Sequence, residues 1–152
     1  MGFAYPSAEE IIDYNVLALT LIKAKKSDAA KVLSRQKIND ALEACEKAEG
    51  GIREKAAVLL KSLVCAHAFA SGNRRTAFLA AKDFVSTKFA NKLCAPWNYR
   101  NSKLIKNGGE FRIPDDPSSA FVLRGIREGF YSLDEIKEWI EHGKIREFGR
   151  GR

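Results

Sequence analysis

The chain has 152 residues, 45% hydrophobic and 30% charged, with a formal net charge of +7 at pH 7. That length suits one domain with a core of its own, and the composition excludes an intrinsically disordered chain. The longest apolar stretch, NVLALTLI, is far shorter than the ~20 residues of a membrane span, while the positive charge suits an anionic partner: nucleotide, nucleic acid or an acidic protein surface.

No secretory leader pattern opens the chain. Cys45, Cys65 and Cys94 stand singly without CxxC spacing and read as reduced thiols, so the expectation is a cytoplasmic protein. Ser7 and Glu10 of SAEE form a capping box that opens a helix over about residues 8–24, with Ile11, Ile12, Val16, Leu19 and Ile22 as its apolar positions. Ser34 caps a second helix with the stripe Ile38, Leu42 and Cys45, and Gly50-Gly51 mark its stop. The third helix, IREKAAVLLKSLVCAHA, is apolar after Lys55 apart from Lys61 and Ser62, and reads as the buried centre of the fold. A fourth begins near Asn73 or Arg74 and runs to about Leu93, burying Ala77, Phe78, Ala81, Phe84 and Val85.

In the irregular stretch CAPWNYRNSKLIKNGGEFRIPDDP, Asn-Gly-Gly suits a short hairpin between KLI and FRI, and Trp97 and Tyr99 anchor the loop to the core. Asp116 and Pro117 cap and start a fifth helix. Ser132 and Glu135 form a second capping box for SLDEIKEWIEHG, where Tyr131 and Ile136 are spaced as a hydrophobic staple. His142, in the last turn, suits the negative end of that helix. The expected architecture is a single all-α domain over residues 1–152, a helical bundle with one small β-hairpin.

The chemistry concentrates where the third helix meets the fourth. Within nine residues stand one imidazole, His67, a glycine-asparagine turn, Gly72-Asn73, and two guanidinium groups, Arg74 and Arg75. A helix N-terminus presents unsatisfied N–H groups and partial positive charge, and a glycine before it lets the backbone turn those groups toward an anion. Arg75 adds a planar, bidentate donor suited to phosphate. His67 is a natural general base for a hydroxyl attacking phosphorus. Each piece alone also has an ordinary reading: a helix-end histidine as a dipole partner, Gly-Asn as a plain turn, Arg-Arg as solvated charge. Their coincidence points to a phosphate site. Cys65 lies two residues before His67, and i, i+2 positions do not face each other on a helix, so a Cys/His pair is not expected.

The string His67-Ala68-Phe69-Ala70-Ser71-Gly72-Asn73-Arg74-Arg75-Thr76-Ala77 resembles the signature of the Fic/Doc superfamily, H-x-F-x-[D/E]-G-N-[G/K]-R. Its Asn-Arg-Arg-Thr-Ala ending is most similar to the Doc (death-on-curing) toxin branch, and PSAEEIIDYN and EGFYSLDEIKEWI resemble the first and closing helices of such chains. The resemblance implies a helical Fic/Doc-type domain. It implies His67 as the base toward a protein hydroxyl, Phe69 as a buried anchor, and Gly72, Asn73, Arg74 and Arg75 as the cradle for nucleotide phosphates. It also implies ATP or a related nucleotide as donor, Mg²⁺ at the phosphates, and a target protein bearing a Ser, Thr or Tyr hydroxyl, a translation factor in the Doc case. A separate antitoxin protein would restrain the activity, since no inhibitory helix of the cis-acting kind is present.

Two departures stand out. The family's acidic metal ligand is Ser71 here, and a hydroxyl is a poor sole ligand for a hard divalent cation. The position of the second arginine of Fic motifs is taken by Phe78, which reads as core, and Doc-type chains also lack that arginine. Glu9, Glu10 and Asp13 are the acids considered as substitutes. Three functional classes follow: a Doc-like transferase, a nucleotide- or partner-binding module that has lost turnover with the acid, and a basic helical nucleic-acid-binding domain. The last lacks an aromatic stacking platform and a recognisable recognition helix.

Overall fold

The computed structural model describes residues 3, 5–21, 30–86 and 117–149. Six helices are present among them: α1 (Ala8–Leu21), α2 (Arg35–Lys47), α3 (Ile52–Ala66), α4 (Asn73–Ser86), α5 (Pro117–Arg127) and α6 (Leu133–His142). The expected hairpin, Trp97, Tyr99, Cys94 and Asp116 lie outside the described residues, as do the first helix beyond Leu21 and the fourth beyond Ser86. The all-α expectation holds: the described β-pairing is one isolated bridge, Val32 to Phe69.

α3 is the centre of the bundle, in contact with α2, α4, α5 and α6, while α1 lies on α4 and α2. Its Ala56, Leu59 and Leu60 have no exposed surface. On α4 the expected stripe is buried throughout, and the alanines at 77, 80 and 81 permit a short interaxial distance. Burying a leucine or phenylalanine here is worth roughly 1.5–3 kcal/mol, so this apolar contact is the main source of the fold's stability.

α1 buries a different face from the one its aliphatic residues suggest. Ala8, Ile11, Tyr14, Asn15, Ala18 and Leu19 are the buried positions, and Val16 is 46% exposed. From Ile11 the buried set follows i, i+3, i+4, i+7, i+8, with Ala8 one turn earlier on the same face, the true helical stripe. Geometry overrides residue type: the stripe takes in a tyrosine and an asparagine and leaves a valine in water.

α2 stops at Lys47, before the glycine pair. Its last carbonyls are satisfied by Lys55 of α3, whose Nζ donates to the carbonyl oxygens of Ala48 (2.7 Å) and Glu46 (2.8 Å). That ammonium also stands 5.4 Å from the Phe3 ring centroid and 5.5 Å from that of Tyr5. A buried lysine is thereby fully employed as a long-range C-cap.

α6 starts as its sequence demands: the Glu135 N–H donates to Ser132 Oγ (3.1 Å), and the Ser132 N–H donates to Glu135 Oε1 (2.9 Å). Tyr131 and Ile136, the expected staple pair, are both buried. The basic tail folds back on this region. Arg146 donates to the Phe130 carbonyl (2.7 Å), pairs with Glu135, and stacks 3.9 Å from the Phe130 ring centroid.

Candidate functional site

α3 ends at Ala66, and His67 follows in the left-handed region, φ 52°, ψ 49°. This conformation costs an L-residue roughly 1–2 kcal/mol, and glycine is its usual occupant at a helix end. His67 is the non-glycine residue with positive φ among the described residues, and its side chain is exposed. Backbone strain therefore sits on the candidate base itself, a pattern associated with functional positions.

Past His67 the chain runs extended and pairs with the segment before α2. The Ala70 N–H donates to the Lys31 carbonyl (2.9 Å), and Ala68 accepts from the N–H groups of Leu33 (2.7 Å) and Ser34 (3.1 Å). Phe69 drops into the core at 2% exposure.

Asn73 closes the loop. Its Oδ1 accepts from the Phe69 N–H (2.9 Å), and its Nδ2 donates to the Phe69 carbonyl (2.8 Å). The Phe69 backbone thus fixes which way the Asn73 amide points, and the Nδ2 side faces His67 Nδ1 at 3.5 Å. An amide N–H facing that nitrogen matches the tautomer with its lone pair on Nδ1 and its proton on Nε2. The contact is long, so an approaching hydroxyl can displace it and meet that lone pair.

Gly72 precedes α4 with φ +76°. A Cβ there would lie 3.1 Å from Leu19 Cδ2 and 3.3 Å from Asn15 Nδ2, so a side chain is opposed by both backbone conformation and packing on α1. With no side chain at this position, Gly72 cannot itself cap the first-turn N–H groups of Asn73 and Arg74. The turn is held from below by Asn15 of α1, 1% exposed, which donates to the Ser71 carbonyl (2.8 Å) and to Thr76 Oγ1 (3.1 Å). Thr76 Oγ1 in turn donates to the Gly72 carbonyl (2.7 Å).

Asn15 is the site residue that sequence reasoning missed. The one signal available was a carboxamide on the buried stripe of α1, where it needs partners.

Arg74 opens outward from the first turn. Partial burial, followed by the fields of Arg127, Arg124 and Arg75, holds its pKa below the ordinary arginine value. The joint is thus strongly electropositive, with contributions from α4 and α5 together.

Among the described residues, no group of three or more His, Cys, Asp or Glu side chains that could share a metal ion lies at this turn. The motif position offers the Ser71 hydroxyl. Of the acids on α1, Glu9 pairs with Arg35, and Glu10 accepts from the Ser7 N–H (2.7 Å). Asp83 is buried beside Tyr14, where desolvation pushes its carboxyl up to about 7. Among the described residues, the group of three side chains close enough to share a cation is Glu138, Glu141 and His142, on the last turn of α6.

A family model described as the Fic/DOC family matches residues 3–85, which covers α1 to α3, α4 as far as Val85, and the whole joint. No curated protein and no solved structure matches the chain. Among the described residues no helix is long and apolar enough to cross a membrane.

Proposed function

The chain belongs to the Fic/DOC family, and from that premise we propose that it transfers a phosphate-containing group from a nucleotide to a hydroxyl of a target protein. The observation that carries this reading is the pairing of His67 with the Asn73 end of the turn, Nδ1 to Nδ2 at 3.5 Å, which sets a basic nitrogen beside the candidate phosphate cradle. In the proposed step the target hydroxyl gives its proton to His67 Nδ1 as its oxygen forms a bond to phosphorus. The bond from phosphorus to the leaving phosphate oxygen breaks, and that oxygen departs with the electron pair. Gly72, Asn73, Arg74 and Arg75 hold the donor phosphates. With ATP as donor, attack at the terminal phosphorus transfers phosphate and attack at the first transfers a nucleotidyl group. The Doc-like ending of the motif favours phosphate, a threonine or serine on a translation factor as target, cytoplasmic action, and restraint by a separate antitoxin.

One observation favours a second reading. Ser71 in place of an acid removes the metal's anchor, so the same cradle would bind nucleotide or a partner without turnover. ATP labelled on the terminal phosphate, and separately on the first, incubated with cell extract, distinguishes the two. Label on protein with wild type and none with His67→Ala supports transfer. Nucleotide-dependent thermal stabilisation with no labelled protein supports the binding module. Equal labelling by the His67→Ala variant overturns the assignment of the base.

A further inference from the structure

We propose that Arg74 of α4 and Arg124 and Arg127 of α5 form a clamp for the di- or triphosphate of the donor, neutralising its charge without a metal ion. This deepens the reading above and rests on it, since it takes the Gly72–Arg75 turn as the phosphate site.

The geometry comes from three helix ends meeting at one place. Arg124 and Arg127 stand in the last turn of α5, three residues apart and so on one side of it. That turn is joined to the last turn of α3 by Cys65 Sγ, 3.7 Å from the Ile126 carbonyl oxygen that lies between the two arginines in sequence. The last turn of α3 leads directly to His67, and the first turn of α4 begins at Asn73. α5 also contacts α4. Arg124 and Arg127 are both exposed. Among the described residues no carboxylate forms an ion pair with Arg74, Arg124 or Arg127. Near-range guanidinium groups without paired carboxylates repel one another, and the cost falls when an anion binds between them. The depressed pKa of Arg74, due after its burial to Arg127, Arg124 and Arg75, reports the same repulsion.

The chemistry suits phosphate in particular. Phosphoryl and nucleotidyl transfer depend on neutralising negative charge on the phosphate oxygens, a task shared in many enzymes between metal and arginine. Guanidinium groups bind phosphate bidentately and keep their charge at any working pH. Where position 71 supplies no carboxylate, three arginines supply the positive charge directly.

Calorimetric titration of the full chain with inorganic tripolyphosphate, and with ATP, in EDTA and then in Mg²⁺, tests this. Wild type is expected to bind both in EDTA, with affinity no weaker than in Mg²⁺. The Arg124→Gln/Arg127→Gln double variant should lose about tenfold or more in affinity for each. A charge-matched control, Lys47→Gln/Lys144→Gln, should bind as wild type, and all three proteins should melt alike because the substituted side chains are exposed. Binding by the double variant equal to wild type overturns the clamp while leaving the nucleotide site at the turn standing. Binding that disappears in EDTA also overturns it, in favour of a metal. If wild type binds neither ligand in either buffer, the nucleotide reading itself falls, and the clamp with it.

Discussion

Replacing His67 by glycine separates the two roles an imidazole can hold at this helix end. The backbone at His67 is left-handed, φ 52°, ψ 49°. A side chain costs roughly 1–2 kcal/mol in that region, and glycine does not incur it. Glycine in turn loses more freedom on folding, about 0.5–1 kcal/mol. The imidazole is exposed, and its contact with Asn73 Nδ2, at 3.5 Å, is at the outer limit of a hydrogen bond, so little packing is forfeited. The balance is a gain of about 0.5–1 kcal/mol for His67→Gly, or roughly 1–4 °C in Tm for a domain of this size. Alanine keeps the strain, so His67→Ala should melt at or slightly below wild type. Circular-dichroism melts of the three proteins, beside the labelled-ATP transfer assay, give the comparison. The expected pattern is highest Tm with no transfer for glycine, and unchanged Tm with no transfer for alanine. A glycine variant that melts several degrees below wild type would mean that the ring holds the joint together. Transfer that survives in the glycine variant would remove His67 from the chemistry.

Asp83 should make stability fall with rising pH. Its carboxyl is neutral in the folded state up to about 7, whereas it ionises near its usual value of 3.8 when unfolded. Below both values the group contributes nothing to the pH dependence. Between about 4 and 7 the folded state retains a proton the unfolded state has lost, so stability declines with a limiting loss on the order of 4 kcal/mol. Urea titrations from pH 4 to 8 should show that slope in wild type and a flatter one in Asp83→Asn; parallel slopes would refute the assignment. Lys55→Met keeps the side-chain bulk beneath Phe3 and Tyr5 but leaves the Glu46 and Ala48 carbonyls without their donor, so it should cost about 2–4 kcal/mol, read as a lower urea midpoint at unchanged m-value. Gly72→Ala should lose roughly 1–3 kcal/mol in the same experiment, because φ is +76° and the new methyl would press on Leu19 and Asn15. A fully stable alanine variant would show that the turn can move off α1.

Helix ends and the apolar stripes of α2 and α4 were legible in the sequence because their causes are local. A capping box such as Ser132 with Glu135 joins residues three apart, and Phe84 or Val85 falls on the core side of α4 through helical periodicity alone. The His67–Ala77 string was likewise readable, since its residue types and order carry the resemblance within eleven consecutive positions. Tertiary structure decided the rest, because the partners lie far apart along the chain. Asn15 meets Ser71 and Thr76 across 56 and 61 positions, so the support beneath the turn appears only when α1 packs on α4. Val16 is left in water for the same reason: the contact surface of α4 selects the Ile11–Tyr14–Asn15–Ala18 face, whatever the hydrophobicity of its neighbours. Arg124 and Arg127 come near the joint through the packing of α5 on the end of α3, and Ala68 and Ala70, just past the left-handed turn at His67, pair with the segment before α2. Periodicity and capping act over one or two turns of chain; the electropositive joint is assembled by packing between helices that share no local sequence rule.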